Sequence, residues 1–291
     1  MFKTILKDGE TLKIVITGAG GQLGKELARK LNPNHTVYSL AKNELDITNQ
    51  TEVNRTISRI QPEIIIHAAA YTAVDLCETE VKKALEVNGI GAGNVALAAE
   101  NANSKMFYIS SDYVFNGTKH TPYEETDTPD PVSVYGISKR LGEQLVLRYA
   151  GGTIVRTSWL YGHDGKNFVK TMLFLAGKNK EIKVIDDQIG SPTYTGDLSD
   201  TIIQLFSKKQ GIYHVSNSGS CTWYEFARTI FEEAGFNPNL VLPTTTEEYG
   251  SKAPRPHYSV LAHTAMNRAG AGPIRPWRKA LKEFIRKELT Q

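Results

Sequence analysis

A chain of 291 residues with 40% hydrophobic and 22% charged side chains suits one dinucleotide-sized α/β sheet with a modest appended lobe, and excludes a disordered or fibrous protein. Its net charge of +3 is scattered without a basic stripe, which argues against nucleic acid, and no stretch approaches the ~20 apolar residues of a membrane span. The two cysteines, Cys77 and Cys221, lack C-x-x-C spacing and histidine partners at ligand spacing, so zinc and redox roles are set aside and reduced, cytoplasmic thiols are expected.

Met1 to Thr11 carries Lys3, Lys7, Asp8 and Glu10 with no continuous apolar core, unlike a signal peptide. Lys13-Ile14-Val15-Ile16-Thr17 is a short β-branched run read as a buried parallel strand, and Gln22 to Leu31 has helical spacing. Between them Gly18, Gly21 and Gly24 form G-x-x-G-x-x-G, with Gln22 and Leu23 opening the helix. Glycines there allow a tight turn, close approach of a pyrophosphate to the backbone, and close packing of helix on strand. The first gap is one residue longer than in the usual dinucleotide fingerprint.

A second strand, to Leu40, predicts an Asp or Glu for an adenosine ribose at its end, but the chain reads Ala41-Lys42-Asn43. Lys42 would tolerate or favour a 2′-phosphate, so NADPH or NADH is the expected cofactor, with Asp46 and Ile47 flanking the adenine. Further strand-like runs fall at 63–67, 105–109, 153–157, 182–185 and 212–215, most separated by helical patterns. This alternation predicts a doubly wound parallel Rossmann sheet. Glu78 to Asn103 reads as a long helix whose small residues at 88–93 suit close helix packing. A polar loop at 116–131 leads into a helix bearing Tyr135. From about residue 217 the pattern changes, ending in an amphipathic helix at 277–289. We therefore expect a dinucleotide-binding domain at 1–162, with returning segments at 191–216, and a smaller substrate-binding lobe at 163–190 and 217–291.

Tyr135 and Lys139 stand at i and i+4, on one face of a helix, where an ammonium can sit near a phenol and favour its ionised form. An unperturbed phenol, with a pKa of about 10, is a weak proton donor at neutral pH, so such tuning would serve general acid catalysis. Ser111 would hold a substrate oxygen beside it. His67, at the end of an apolar strand, reads as a satisfied, partly buried imidazole, and Trp223 and Trp277 read as core. Arg255 offers bidentate donors to a diphosphate, with His257 beside it, and Trp159 an apolar wall for a sugar.

These residues together resemble the extended short-chain dehydrogenase/reductase superfamily, through Thr17-Gly18-x-x-Gly21-x-x-Gly24, Ser111 and Tyr135-x-x-x-Lys139. Within it the chain resembles the dTDP-4-dehydrorhamnose reductases, through Gly21-Gln22-Leu23-Gly24, the Ala68-to-Asp75 stretch, the Ser110-to-Gly117 stretch, Arg156-Thr157-Ser158-Trp159-Leu160-Tyr161-Gly162, the Asp187-to-Thr193 stretch and Arg255-Pro256-His257. The resemblance implies that Tyr135 donates the proton, that Lys139 binds nicotinamide ribose, and that Ala68, Ala69 and Ala70 line the dinucleotide. Asp112, Tyr113 and Trp159 would contact a dTDP-sugar. Dehydratases on the same scaffold carry Asp-Glu after the Ser/Thr; here Asp112-Tyr113 follows Ser111, which implies simple reduction of a C4 ketone. Epimerization, and a non-catalytic role like that of the regulatory subunit of methionine adenosyltransferase, are the alternatives. The resemblance also raises a Mg2+-bridged dimer, but around Thr195-Gly196-Asp197 no ligand set matches. A monomer or homodimer is expected.

Overall fold

The computed structural model describes residues 11–149 and 151–290. Residues 1–10, on which the leader-peptide expectation largely rests, lie outside the described residues. Among the described residues six parallel strands form the central sheet: β1 (Lys13–Thr17), β2 (Thr36–Leu40), β3 (Ile64–His67), β4 (Lys105–Ser111), β5 (Gly152–Thr157) and a last strand at Ile212–His214. Their spatial order is β2, β1, β3, β4, β5 and then Ile212–His214.

The inner strands β1 and β3 read as apolar runs because both faces of the sheet are covered there. Ile14 and Ile16 of β1 pack with α1 (Gln22–Leu31) and the helix Thr195–Leu205 on one face. Val15 packs on the other, with α2 (Gln50–Ile60) and the helix Gly91–Asn101. The chain runs outward from β1 to β2 and then returns to β3 on the other side of β1. In such sheets a reversal of this kind marks the ligand-binding crevice, beyond the carboxyl ends of the strands flanking it, here β1 and β3.

A separate apolar cluster gathers Val169, Phe226, Ile230, Trp277, Leu281 and Phe284 around the helices Phe168–Ala176, Trp223–Glu233 and Trp277–Leu289. The run at 182–185, which the sequence reading sets in the smaller lobe, does not join the main sheet. Ile182–Ile185 pairs in parallel with Val241–Thr244, beside the helices of this second cluster. Residues near Met266 pack on the sheet instead of with these helices.

The expected long helix over 78–103 is broken. Val74–Cys77 and Val81–Ala84 are short α turns, Leu85–Ile90 winds as a π turn, and Gly91–Asn101 continues as α-helix. Its small residues have the packing role the sequence suggests. A Cβ on Gly89 would lie 2.5 Å from Leu141 Cδ2, and one on Gly93 would lie 2.9 Å from Leu145 Cδ1, so this helix lies directly against the helix Val134–Leu147.

Candidate active site

The glycine turn sits at the crevice. Gly18 adopts φ +70°, and a Cβ there would lie 2.5 Å from the Ala69 backbone, so the β1 and β3 exits touch with no side chain between them. A Cβ on Gly24 would overlap Gly18 O and Ala19, which lets α1 pack onto the turn. Gly21 caps α1 with no side-chain acceptor, leaving helix N–H groups facing the crevice. A dinucleotide pyrophosphate fits this bare cradle. Gln22 is half-buried and accepts from Asn167 at 3.1 Å, while Leu23 is core.

Ala68, Ala69 and Ala70 line the opposite lip, half-buried. Beyond β2, Lys42 is exposed, and the nearby acid Glu44 folds back to accept the Ala41 N–H at 2.8 Å. Asp46 is exposed and takes the Thr48 N–H and hydroxyl, which lowers its pKa. Ile47 is buried, with its Cδ1 just 2.8 Å from where a Cβ on Gly91 would stand.

At the end of β4, Ser111 Oγ donates to Asp112 Oδ1 at 2.9 Å and accepts the Tyr113 N–H at 3.2 Å, capping the tight turn Asp112–Val114. Ser259 Oγ donates to the other Asp112 oxygen at 2.6 Å. Burial pushes the Asp112 carboxyl up to about 6 in spite of these hydrogen bonds.

The helix Val134–Leu147 begins on Ser133, whose hydroxyl takes the Gly136 N–H at 3.1 Å. A Cβ on Gly136 would overlap Tyr113 O, so the helix start rests on the Ser111 turn. Tyr135 is thereby buried beside Ser111 and edge-on to Tyr113, with ring centroids 5.5 Å apart. Burial and the Asp112 charge raise the Tyr135 phenol well above its ordinary range, while its hydrogen bond with Ser111 pulls the other way.

Burial, the largest influence on this phenol, opposes the tuning expected from Lys139. The Lys139 ammonium donates to Ile109 O at 2.7 Å and lies 4.2 Å from the centre of the Tyr108 ring, and burial of the phenol dominates. Burial also draws the Lys139 amine down to about 7.

Tyr113, where a dehydratase would place its Glu, is raised to about 12 by burial and by Asp112, so it stays a neutral phenol. Arg255 hydrogen-bonds Tyr113 and pairs with Asp75 at 2.9 Å. Ser111, Asp112, Tyr113, Tyr135 and Arg255 thus come together. Trp159 stacks face to face on Trp223, centroids 3.5 Å apart, and its ring fills the space a side chain at Gly190 would need. Trp223 is half-buried beside it instead of deep in the core.

His257 Nδ1 faces Asp187 O at 2.9 Å, a loop-fastening contact. His67 is fully buried, not partly, and only half satisfied: its Nδ1 meets Thr17 Oγ1 at 2.6 Å, and its Nε2 has no partner among the described residues. In the Thr195-Gly196-Asp197 segment, one oxygen of Asp197 takes both Arg275 Nε at 2.8 Å and Asn217 Nδ2 at 2.6 Å. Among the described residues no group of three His, Cys, Asp or Glu side chains could hold a metal ion.

The sequence reading gives Asn88 no role and takes Asp75 only as the end of the Ala68-to-Asp75 stretch. The π turn aims Asn88 at the backbone of Tyr71 (2.7 and 3.0 Å) and at Ser138 (3.0 Å), while its own carbonyl takes the Tyr108 hydroxyl at 3.1 Å. A lone Asn among small residues was the only signal.

Residues 12–290 match the family described as RmlD substrate binding domain. The chain belongs to that family. Over 94% of its length it is 52% identical to the spore coat polysaccharide biosynthesis protein SpsK of Bacillus subtilis, covering 96% of that protein. It is 44% identical to a dTDP-4-dehydrorhamnose reductase of Aggregatibacter actinomycetemcomitans, over 94% of this chain and 98% of the relative. Among solved structures, a dTDP-4-dehydrorhamnose reductase from Bacillus anthracis in complex with NADP superposes with a TM-score of 0.93 at 47% identity, covering 96% of this chain and all of that one. The matched range includes the glycine cradle, the Ser111 turn and the Tyr135 helix.

Proposed function

We propose that this chain reduces the C4 ketone of dTDP-4-dehydro-6-deoxy-L-mannose to dTDP-L-rhamnose with NADPH or NADH. One observation carries the reading: a buried, protonated Tyr135 phenol beside Ser111, with a neutral Tyr113, not a second carboxylate, directly after Asp112. Bound reduced nicotinamide supplies the hydride. Ser111 turns its hydroxyl from Asp112 toward the sugar O4, and Asp112 keeps its bond from Ser259. Tyr135 gives its proton to the developing alkoxide. Lys139 binds the nicotinamide ribose, while Arg255 and Trp159 contact the sugar nucleotide. Elimination lacks a base, because the Tyr113 phenol stays neutral far above working pH.

In this reading the sheet with its glycine turn is the dinucleotide domain, and the cluster around Phe226 and Trp277 is the core of the substrate lobe. No helix among the described residues is long and apolar enough to cross a membrane. A cytoplasmic monomer or homodimer belongs to the same proposal, supported by two buried, unpaired thiols. Incubation with dTDP-4-dehydrorhamnose and each reduced cofactor, following nicotinamide absorbance and the product sugar, tests it. Loss of absorbance with dTDP-L-rhamnose as product is expected. Absence of turnover with both cofactors overturns it, and a C4 epimer formed without net oxidation of the cofactor assigns an epimerase.

A further inference from the structure

One turn beyond Lys139, the helix Val134–Leu147 is pinned to the sheet by a charge. Glu143, fully buried, stands at i+4 from Lys139. Its Oε1 accepts Ser110 Oγ at 2.7 Å and Arg156 Nε at 2.8 Å, and its Oε2 accepts a second Arg156 nitrogen at 2.8 Å and Arg140 at 3.0 Å. Ser110 and Arg156 are register partners on β4 and β5. Ser110 directly precedes Ser111, and Ile109, the residue before it, holds the Lys139 ammonium. Two successive residues of β4 therefore grip two successive turns of the helix. On the far side, Arg156 lies 3.3 Å from His214 Nε2 on the edge strand.

A buried ion pair can be replaced by packed apolar side chains at little cost in stability, so stability alone does not explain a charge here. An apolar pair would lack one thing: a fixed negative charge next to a buried amine. We infer that Glu143 is a positioning residue of the reductase site, which seats the helix bearing Tyr135 and Lys139 on β4 and favours the ammonium form of Lys139. The inference rests on the reductase reading for its kinetic consequence, on the hydrogen bonds of Glu143 for the seating of the helix, and on the attraction of Glu143 for the effect on Lys139.

Burial draws Lys139 down to about 7, and the attraction of Glu143 opposes that fall. The other groups around the pair are accounted for. His67 on β3 is held neutral by burial, with its pKa at about 3. Tyr108 on β4 offers its ring face, with a phenol pushed up by burial. Tyr135 on the helix itself is protonated, and Asp112 lies beyond it. The adjoining π turn presents the uncharged Asn88. Arg156 of β5 and the half-exposed Arg140 face Glu143, with neutral His214 behind.

Two variants carry opposite expected signs. Glu143→Gln keeps the side-chain shape but removes the charge and one of the two acceptor oxygens, so the Lys139 titration moves to lower pH by about one unit. Arg140→Met removes a competing cation from the helix surface and moves it to higher pH by roughly a few tenths. Lys139 is read directly from the 13Cε shift of lysine-labelled protein, assigned by its loss in Lys139→Arg, and indirectly from the basic limb of the kcat/KM profile at saturating cofactor. Thermal melts record whether each variant folds; if Glu143→Gln does not, the sign in Arg140→Met decides. Shifts of the stated signs support the role. A Lys139 titration unmoved in the folded variants, or moved the other way, overturns it and leaves a structural ion pair. If the 13C titrations shift as stated but the native protein turns over no dehydrorhamnose, the positioning role stands and the reductase reading falls.

Discussion

Tyr135 sits where its surroundings hold the proton on. Burial and the neighbouring Asp112 both disfavour the phenolate, so the free site presents a donor that is fully charged with its proton and gives it up only when an alkoxide develops next to it. Tyr135→Phe should keep cofactor affinity and lower turnover by roughly 10²–10⁴-fold, the usual contribution of a positioned general acid. Cofactor titration and steady-state rates on the same variant check this, and near-normal turnover would remove Tyr135 from the mechanism. The i, i+4 spacing made Tyr135 and Lys139 legible as a pair. What spacing could not convey is that Ile109 O and the Tyr108 ring claim the ammonium, because those contacts depend on where β4 lies under the helix.

Asp112 carries a linkage with a definite sign. Its carboxyl titrates near 6 in the fold and near 3.8 when free, so the folded chain binds the extra proton between those values. The stability it contributes is present in full below about 4 and is lost as pH rises through 6. Asp112→Asn cannot titrate. Relative to that variant, the native chain should therefore lose about 2 kcal/mol between pH 4 and pH 7, measured by urea unfolding at several pH values. A constant difference would mean that the carboxylate is better solvated than its burial implies.

At the scale of elements, the site depends on how closely the helix Val134–Leu147 meets the Asp112–Val114 turn. The Gly136 backbone touches Tyr113 O with no room for a methyl group. Gly136→Ala should push the helix start off the turn and separate Tyr135 from Ser111. A displacement of about 1 Å can reduce turnover on the order of 10²-fold, with a loss of about 1–3 kcal/mol in stability from overpacking. Cofactor affinity should change far less, since the glycine cradle lies on α1. Rates, cofactor titration and unfolding on this variant separate the effects, and unchanged kcat would show that the contact does not set the catalytic geometry. The strand and helix alternation was readable because a buried parallel strand and an amphipathic helix have different apolar periods. The π turn at 85–90 was not. It arises where Gly89 and Gly93 must let Leu141 and Leu145 approach, a demand made by the neighbouring helix.

At the scale of the whole molecule, two imidazoles are buried in neutral form. His67 lies at the end of β3 and His214 on the edge strand; burial draws both down to about 3. An unfolded chain would protonate both near 6.5, so it binds more protons than the fold below that pH, and the stability they contribute above 6.5 is lost as the pH falls toward 3. Each should cost about 1 kcal/mol per pH unit on that slope, with Asp112 offsetting about one of the two between 6 and 4. Urea midpoints should therefore fall steadily from pH 7 to pH 5. A flat profile would indicate that water or rearrangement reaches one of these rings.

The sequence by itself determined the glycine turn after β1, the Tyr135/Lys139 pair, the Ser111-Asp112-Tyr113 turn and the alternation that makes a doubly wound sheet. Each of these is written in spacing along a single element or in neighbouring residues, where local sterics and periodicity act. The tertiary structure decided what meets across elements. It placed the run at 182–185 beside Val241–Thr244 and off the main sheet, stacked Trp159 on Trp223, joined Arg255 to Asp75, and set Glu143 between Ser110 and Arg156. Those pairings close loops of many residues, and their direction is chosen by which apolar faces must be covered and which buried charges must find partners. No local pattern in the chain encodes that choice, because the partners approach one another only when the sheet is complete.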